Sequence, residues 1–130
     1  MASRAQIEKF LASPSFGVVG ASADRAKYGN KVLRRYLQHG LKAIPIHPKE
    51  SQIEGQAVLA SVAQLPPETH SISVITSPAV TERIVDQAIS KGIQNIWMQP
   101  GAESAAAVRK AEAAGINVIA DGSCILVELG

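Results

Sequence analysis

The chain has 130 residues, of which 46% are apolar and 4% aromatic, and its 13 basic and 11 acidic side chains leave a net charge of +2. That is enough for one domain with its own core and too little for two, so residues 1–130 are expected to form a single domain, and the apolar fraction excludes a disordered chain. No Lys/Arg run points to nucleic acid, no apolar run approaches the roughly 18 residues of a membrane span, and the single cysteine, Cys124, excludes an internal disulfide.

Residues 4–12 predict a short leading helix with Ile7, Phe10 and Leu11 on one face, ended by Ser13-Pro14-Ser15. Residues 16–20 form an apolar run between turn residues and predict a buried strand. A helix is expected from about Gly29-Asn30, carried by Val32, Leu33, Tyr36 and Leu37 and stopped at Gly40. The second strand is Ala43-Ile44-Pro45-Ile46, where Pro45 predicts a bulge or a strand end, because proline cannot donate to a ladder. Residues 49–70 are mixed, with turns at Gly55 and Pro66-Pro67 and one helical turn over 61–65. A third strand (72–76) leads into a helix opened by Pro78 and closed by Gly92. A fourth strand (93–98), an Ala-rich helix (102–114) closed by Gly115, and a fifth strand (116–120) follow. Residues 124–129 read as a final short strand that closes the sheet or pairs across a dimer, so a monomer and a homodimer both remain open.

Three times a helix stops at glycine and an apolar strand starts within a few residues, after Gly40, Gly92 and Gly115. Such alternation predicts an α/β fold: a Rossmann-like, doubly wound, mainly parallel five-stranded sheet with helices on both faces. In that architecture ligands bind outside the carboxyl ends of the strands, where strand order reverses. The loops to inspect are therefore Gly20-Ala21-Ser22, His47-Pro48-Lys49, Thr76-Ser77-Pro78, Met98-Gln99-Pro100-Gly101 and Asp121-Gly122-Ser123.

In the first loop, Gly20 and Ala21 let ligand atoms approach the main chain, Ser22 offers a hydroxyl, and the next helix aims its N-terminus at the crevice, which suits a phosphate. A plain tight turn would use the same residues. The second loop lacks the acid that holds the ribose diol of NAD; Lys49, with Lys27 from the first loop, suits a phosphorylated ribose instead. NADP and coenzyme A both carry one. Catalysis has little behind it: His39, His47 and His70 have no nucleophile or metal-ligand partner at a telling spacing, and Cys124 has no activating neighbour. The start lacks an apolar signal core, and a cytoplasmic location is expected.

Val18-Val19-Gly20-Ala21-Ser22, Lys27-Tyr28-Gly29-Asn30-Lys31-Val32, Ile44-Pro45-Ile46-His47-Pro48-Lys49, Gly55, residues 61–66 and Ile96-Trp97-Met98-Gln99-Pro100-Gly101 together resemble the CoA-binding domain family. This is the Rossmann-like module of the succinyl-CoA synthetase alpha subunit and of ADP-forming acyl-CoA synthetases. The resemblance implies coenzyme A as ligand, with phosphates at Gly20, Ala21 and Ser22. It implies the 3′-phospho-ADP end beside His47, Pro48 and Lys49. The path toward the pantetheine arm would be lined by Thr76, Ser77, Pro78, Gln99, Pro100 and Gly101. His47-Pro48 stands where relatives usually show Asn-Pro, and Asp121-Gly122-Ser123-Cys124 where they usually show Asp-Arg-Cys. The resemblance does not carry ligase activity, because the synthetases' later domains have no counterpart here. The expected role is binding of coenzyme A or an acyl-CoA without catalysis. An NAD(P)-binding protein or oxidoreductase subunit, and a regulatory protein on a Rossmann scaffold, are the alternatives.

Overall fold

The computed structural model describes residues 3–130. In chain order it holds α1 (Arg4–Leu11), β1 (Phe16–Val19), α2 (Tyr28–Gln38), β2 (Ala43–Ile46), β3 (Gln52–Ile53) and β4 (Gln56–Ala57). A 3-10 turn (Val62–Gln64) leads to β5 (Ser71–Val74), α3 (Pro78–Lys91), β6 (Asn95–Met98), α4 (Ala105–Ala113), β7 (Asn117–Ile119) and α5 (Ile125–Glu128). Among the described residues no helix is long and apolar enough to cross a membrane.

The main sheet has five parallel strands in the order β2-β1-β5-β6-β7. The chain winds outward from β1 in one direction to β2 and in the other through β5 to β7, so the order reverses between β1 and β5. Helices cover both faces, which is why β1, β5 and β6 are buried along their whole length and read as continuous runs.

Successive side chains point to opposite faces. Phe16, Val18 and Trp97 pack with Ile7 and Phe10 of α1, Val32, Leu33 and Tyr36 of α2, and Ile125 of α5. Val19, Ile72, Val74, Ile96 and Met98 pack with α3, α4 and the 3-10 turn. The few aromatic rings share the first layer: Phe10 meets Trp97 edge-on at 5.2 Å, and Phe16 stacks on Tyr36 at 4.7 Å. Tyr36 is fully buried, bonds the Ser73 hydroxyl at 2.5 Å, and has its ionisation pushed up by burial. In the second layer a Cβ at Gly17 would come 3.1 Å from both Leu65 and Ile72, so glycine there lets the chain after the 3-10 turn close onto β1.

One expectation is met and one needs correction. Pro45 lies one residue before the end of β2, an edge strand in unbroken register with β1, so the strand end and not a bulge accommodates it. Ile46 faces β1, accepting from Gly20 N, while the neighbouring Pro45 faces outward and accepts from Leu59 N. The missing proline N–H therefore costs no bond to β1. Residues 124–129 do not form a strand. Glu128 N and Leu129 N donate to Cys124 O and Ile125 O, four residues back, so the segment coils as α5 with Ile125 buried and Val127 exposed. The β3–β4 hairpin was not foreseen. Its turn places Glu54 (φ 50) and Gly55 (φ 77) in the left-handed region.

Candidate functional site

Where β1 and β5 end side by side, three stretches of backbone meet with no room for side chains. Gly20 has φ 91, and a Cβ on it would lie 2.0 Å from the Ile75 carbonyl oxygen. A Cβ on Gly29, in the first turn of α2, would lie 2.1 Å from the Gly20 carbonyl oxygen. The two glycines thus let the ends of β1 and β5 and the start of α2 nest against one another. Gly20 borders the crevice, but the space its missing side chain frees is filled by protein.

The first turn of α2 has no side-chain cap, unlike α1 and α4, where Ser3 and Ser104 accept from Gln6 N and Ala107 N. Uncapped N–H groups at the positive end of an eleven-residue helix suit an anion. The loop before it is stiff. Ser22 Oγ accepts from Asp24 N at 3.1 Å, and Asp24 Oδ1 accepts from Ala26 N at 2.9 Å. Buried Asn30 ties the loop to its surroundings. Its Nδ2 donates to Ser22 O at 2.8 Å and to Glu54 Oε2 at 3.1 Å, and its Oδ1 accepts from Arg34 Nε at 2.7 Å. Arg25 pairs with the same Glu54 carboxylate at 3.4 Å.

On the β2 side, His47 Nδ1 accepts from the backbone N–H of Lys49 and Glu50 at 3.0 and 3.1 Å. The ring proton of the neutral histidine is therefore on Nε2. These elements bound a cleft of about 520 Å³. Gly20, Ala21, Ser22, Lys27, His47 and Pro48 of the sequence-predicted residues line it, joined by Tyr28, Gly29 and Ile75. Lys49 stands just outside, exposed.

The remaining predicted residues follow the carboxyl edge away from this cleft. Thr76 bonds Thr81 through their hydroxyls at 2.7 Å, and Ser77 and Pro78 start α3 in the open. Pro100 and Gly101 are exposed, with Gly101 N donating to Glu103 Oε1. Gln99 is fully buried; its Oε1 accepts from Ile125 N at 3.0 Å and from the Tyr28 hydroxyl at 3.3 Å. Sequence reasoning did not single out Asn30, Glu54 or Tyr28. The available signal was Tyr28-Gly29-Asn30 within one of the family-like segments. Among the described residues no group of three or more His, Cys, Asp or Glu could hold a metal ion.

Solved structures share this architecture. A conserved hypothetical protein from Pyrococcus furiosus superposes with a TM-score of 0.84 at 37% identity, over 88% of this chain and 97% of that one. A hypothetical protein from Pyrococcus horikoshii superposes at 0.90 with 27% identity, over 98% and 89%. The dinucleotide-forming acetyl-coenzyme A synthetase 1 of Ca. Korarchaeum cryptofilum matches at 0.77 and 24% identity, over 88% of this chain and 27% of the synthetase, which is a likeness of fold. A family model described as a CoA binding domain matches residues 14–130, and on that match the chain belongs to the CoA-binding domain family.

Proposed function

We propose that this chain binds coenzyme A, or an acyl-CoA, along the carboxyl edge of its sheet. The observation that carries the reading is the cleft at the reversal of strand order, bounded by an uncapped helix N-terminus and by Lys27, in a chain of this family. The diphosphate lies against Ala21, Ser22 and the first turn of α2. The 3′-phosphate meets Lys49 beyond His47 and Pro48. Thr76, Ser77, Pro78, Gln99, Pro100 and Gly101 line the way for the pantetheine arm. NADP gains nothing from the family match, whose description names coenzyme A.

Calorimetric titration with coenzyme A, dephospho-CoA and NADP tests this. Coenzyme A is expected to bind tightest. Lys49→Ala is expected to weaken coenzyme A by roughly fivefold, the worth of an exposed charge pair of about 1 kcal/mol, and to leave dephospho-CoA unchanged. Equal loss for both ligands would remove Lys49 from the 3′-phosphate, and tighter binding of NADP would overturn the ligand assignment.

A further inference from the structure

Cys124 stands half-buried just before α5, its sulfur 2.5 Å from the Tyr28 hydroxyl. Tyr28 lines the cleft, so the thiol lies one side chain behind the cleft wall. The Tyr28 hydroxyl also donates to Gln99 Oε1, which accepts from Ile125 N as well. A backbone N–H can only donate, and this fixes the orientation of the Gln99 amide, with oxygen toward Ile125. The amide nitrogen that remains, Gln99 Nε2, is buried and has no partner among the described residues. Leaving a buried donor unpaired is unfavourable. The cluster thus keeps one donor available for an acceptor.

The proton arrangement suits two states of the sulfur. As a thiol, Cys124 donates to the Tyr28 oxygen while Tyr28 donates to Gln99. As a thiolate, Cys124 accepts the Tyr28 proton. Tyr28 stays a phenol throughout, because burial, and then the neighbouring Cys124, push its ionisation above the ordinary range.

We propose that Cys124 is a thiol–disulfide exchange site for the thiol end of the bound ligand, with Gln99 Nε2 donating to an amide carbonyl of the pantetheine arm. This rests on the coenzyme A reading above. The oxidant is coenzyme A disulfide. The Cys124 thiolate attacks one sulfur of that disulfide; a Cys124–CoA disulfide forms, the original S–S bond breaks, and one coenzyme A leaves as a thiolate that takes a proton from water. The protein thiol is oxidised and the departing sulfur reduced, so electrons balance without a further reagent. A chain holding this adduct registers the oxidation state of the coenzyme A pool, and excess thiol resets it.

The full chain is incubated with coenzyme A disulfide and its intact mass followed. The expected result is one coenzyme A added, released by dithiothreitol and absent from Cys124→Ser. Docking of the nucleotide raises the local disulfide concentration, so the adduct is expected to form roughly tenfold or more faster than with glutathione disulfide. Adenosine 3′,5′-diphosphate, which fills the cleft without a thiol, slows the first reaction and not the second. Equal rates for the two disulfides, or no adduct, overturn the proposal. Calorimetry of the wild-type chain with coenzyme A under dithiothreitol separates the two readings: retained binding confines the failure to Cys124, and lost binding removes the binding reading and the proposal together.

Discussion

The two ends of the sheet satisfy their polar groups in opposite ways. At the amino end, side chains bond one another in a row across the strand starts. Ser13 meets Ser71, Asn95 Nδ2 donates to Ser71 Oγ, Asn117 Nδ2 donates to Asn95 Oδ1, and Gln6 Nε2 donates to Asn117 Oδ1. His70 Nδ1 is the exception, buried without a partner among the described residues. At the carboxyl end, the first turn of α2 is uncapped beside a cleft of about 520 Å³, and farther along the edge Gln99 Nε2 has no partner among the described residues. The glycines differ as well. Gly92 and Gly115, which close α3 and α4 ahead of the strand starts, have open space where a Cβ would go, whereas Gly20 has another strand's backbone there. One end pairs most of its polar groups with one another, while the other holds its backbone tightly and leaves donors free, and it is to this second end that our proposal assigns the ligand.

Exchanging glycine for alanine at each end gives the largest expected effect. Gly20→Ala places a carbon against the Ile75 carbonyl and is expected to cost about 3 kcal/mol or more, seen as a lower midpoint of guanidinium unfolding. Gly115→Ala meets no atom and is expected to cost about 1 kcal/mol, from its left-handed backbone alone. Equal losses would show that the crowding around Gly20 relaxes. Because Gly20 holds the fold, a bulky residue there reports on folding and not on ligand contact.

Asn95→Ala is expected to cost about 1–2 kcal/mol, since it removes one of two partners each from Asn117 Nδ2, which keeps Gln6 O, and from Ser71 Oγ, which keeps Ser13. Coenzyme A affinity should not change. A weaker affinity in the same variant would mean that the two ends are coupled through β6, and the contrast between them would fail.

Much of this division was legible in the sequence. The glycine stops at Gly40, Gly92 and Gly115 marked where helices give way to strands, and the strand-end loops followed from the alternation. What could not be read were facts about neighbours. Pro45 is harmless because β2 is an edge, and edge position comes from strand order. Gly20 looks like a ligand-approach glycine until the Ile75 carbonyl is seen beside it. The run 124–129 is too short for its apolar pattern to separate strand from helix, and it coils because Gln99 and the turn at Ser123 receive it: Trp97 Nε1 donates to Ser123 O, and Ile125 N to Gln99. Glu54 was invisible because Glu-Gly is a weak hairpin signal beside Asn-Gly or Asp-Gly.

Glu54 offers the finest test, because it joins the carboxyl-end cleft to a strained backbone. Its φ of 50 is unusual for a residue with a Cβ, and its carboxylate holds both Asn30 and Arg25. Glu54→Ala removes the carboxylate and keeps the strain. Glu54→Gly removes both. Relief of a left-handed backbone gains about 1–2 kcal/mol, and the freer unfolded chain of glycine takes back about 0.5–1 kcal/mol. The glycine variant should therefore unfold later than the alanine variant, by about 0.5–1 kcal/mol. If the two unfold together, the hairpin turn stores no strain, and the carboxylate alone accounts for Glu54. If both variants also bind coenzyme A as tightly as the wild type, the Asn30 tie to Ser22 O keeps the first loop in place without Glu54, and the stiffness of the cleft comes from α2 itself.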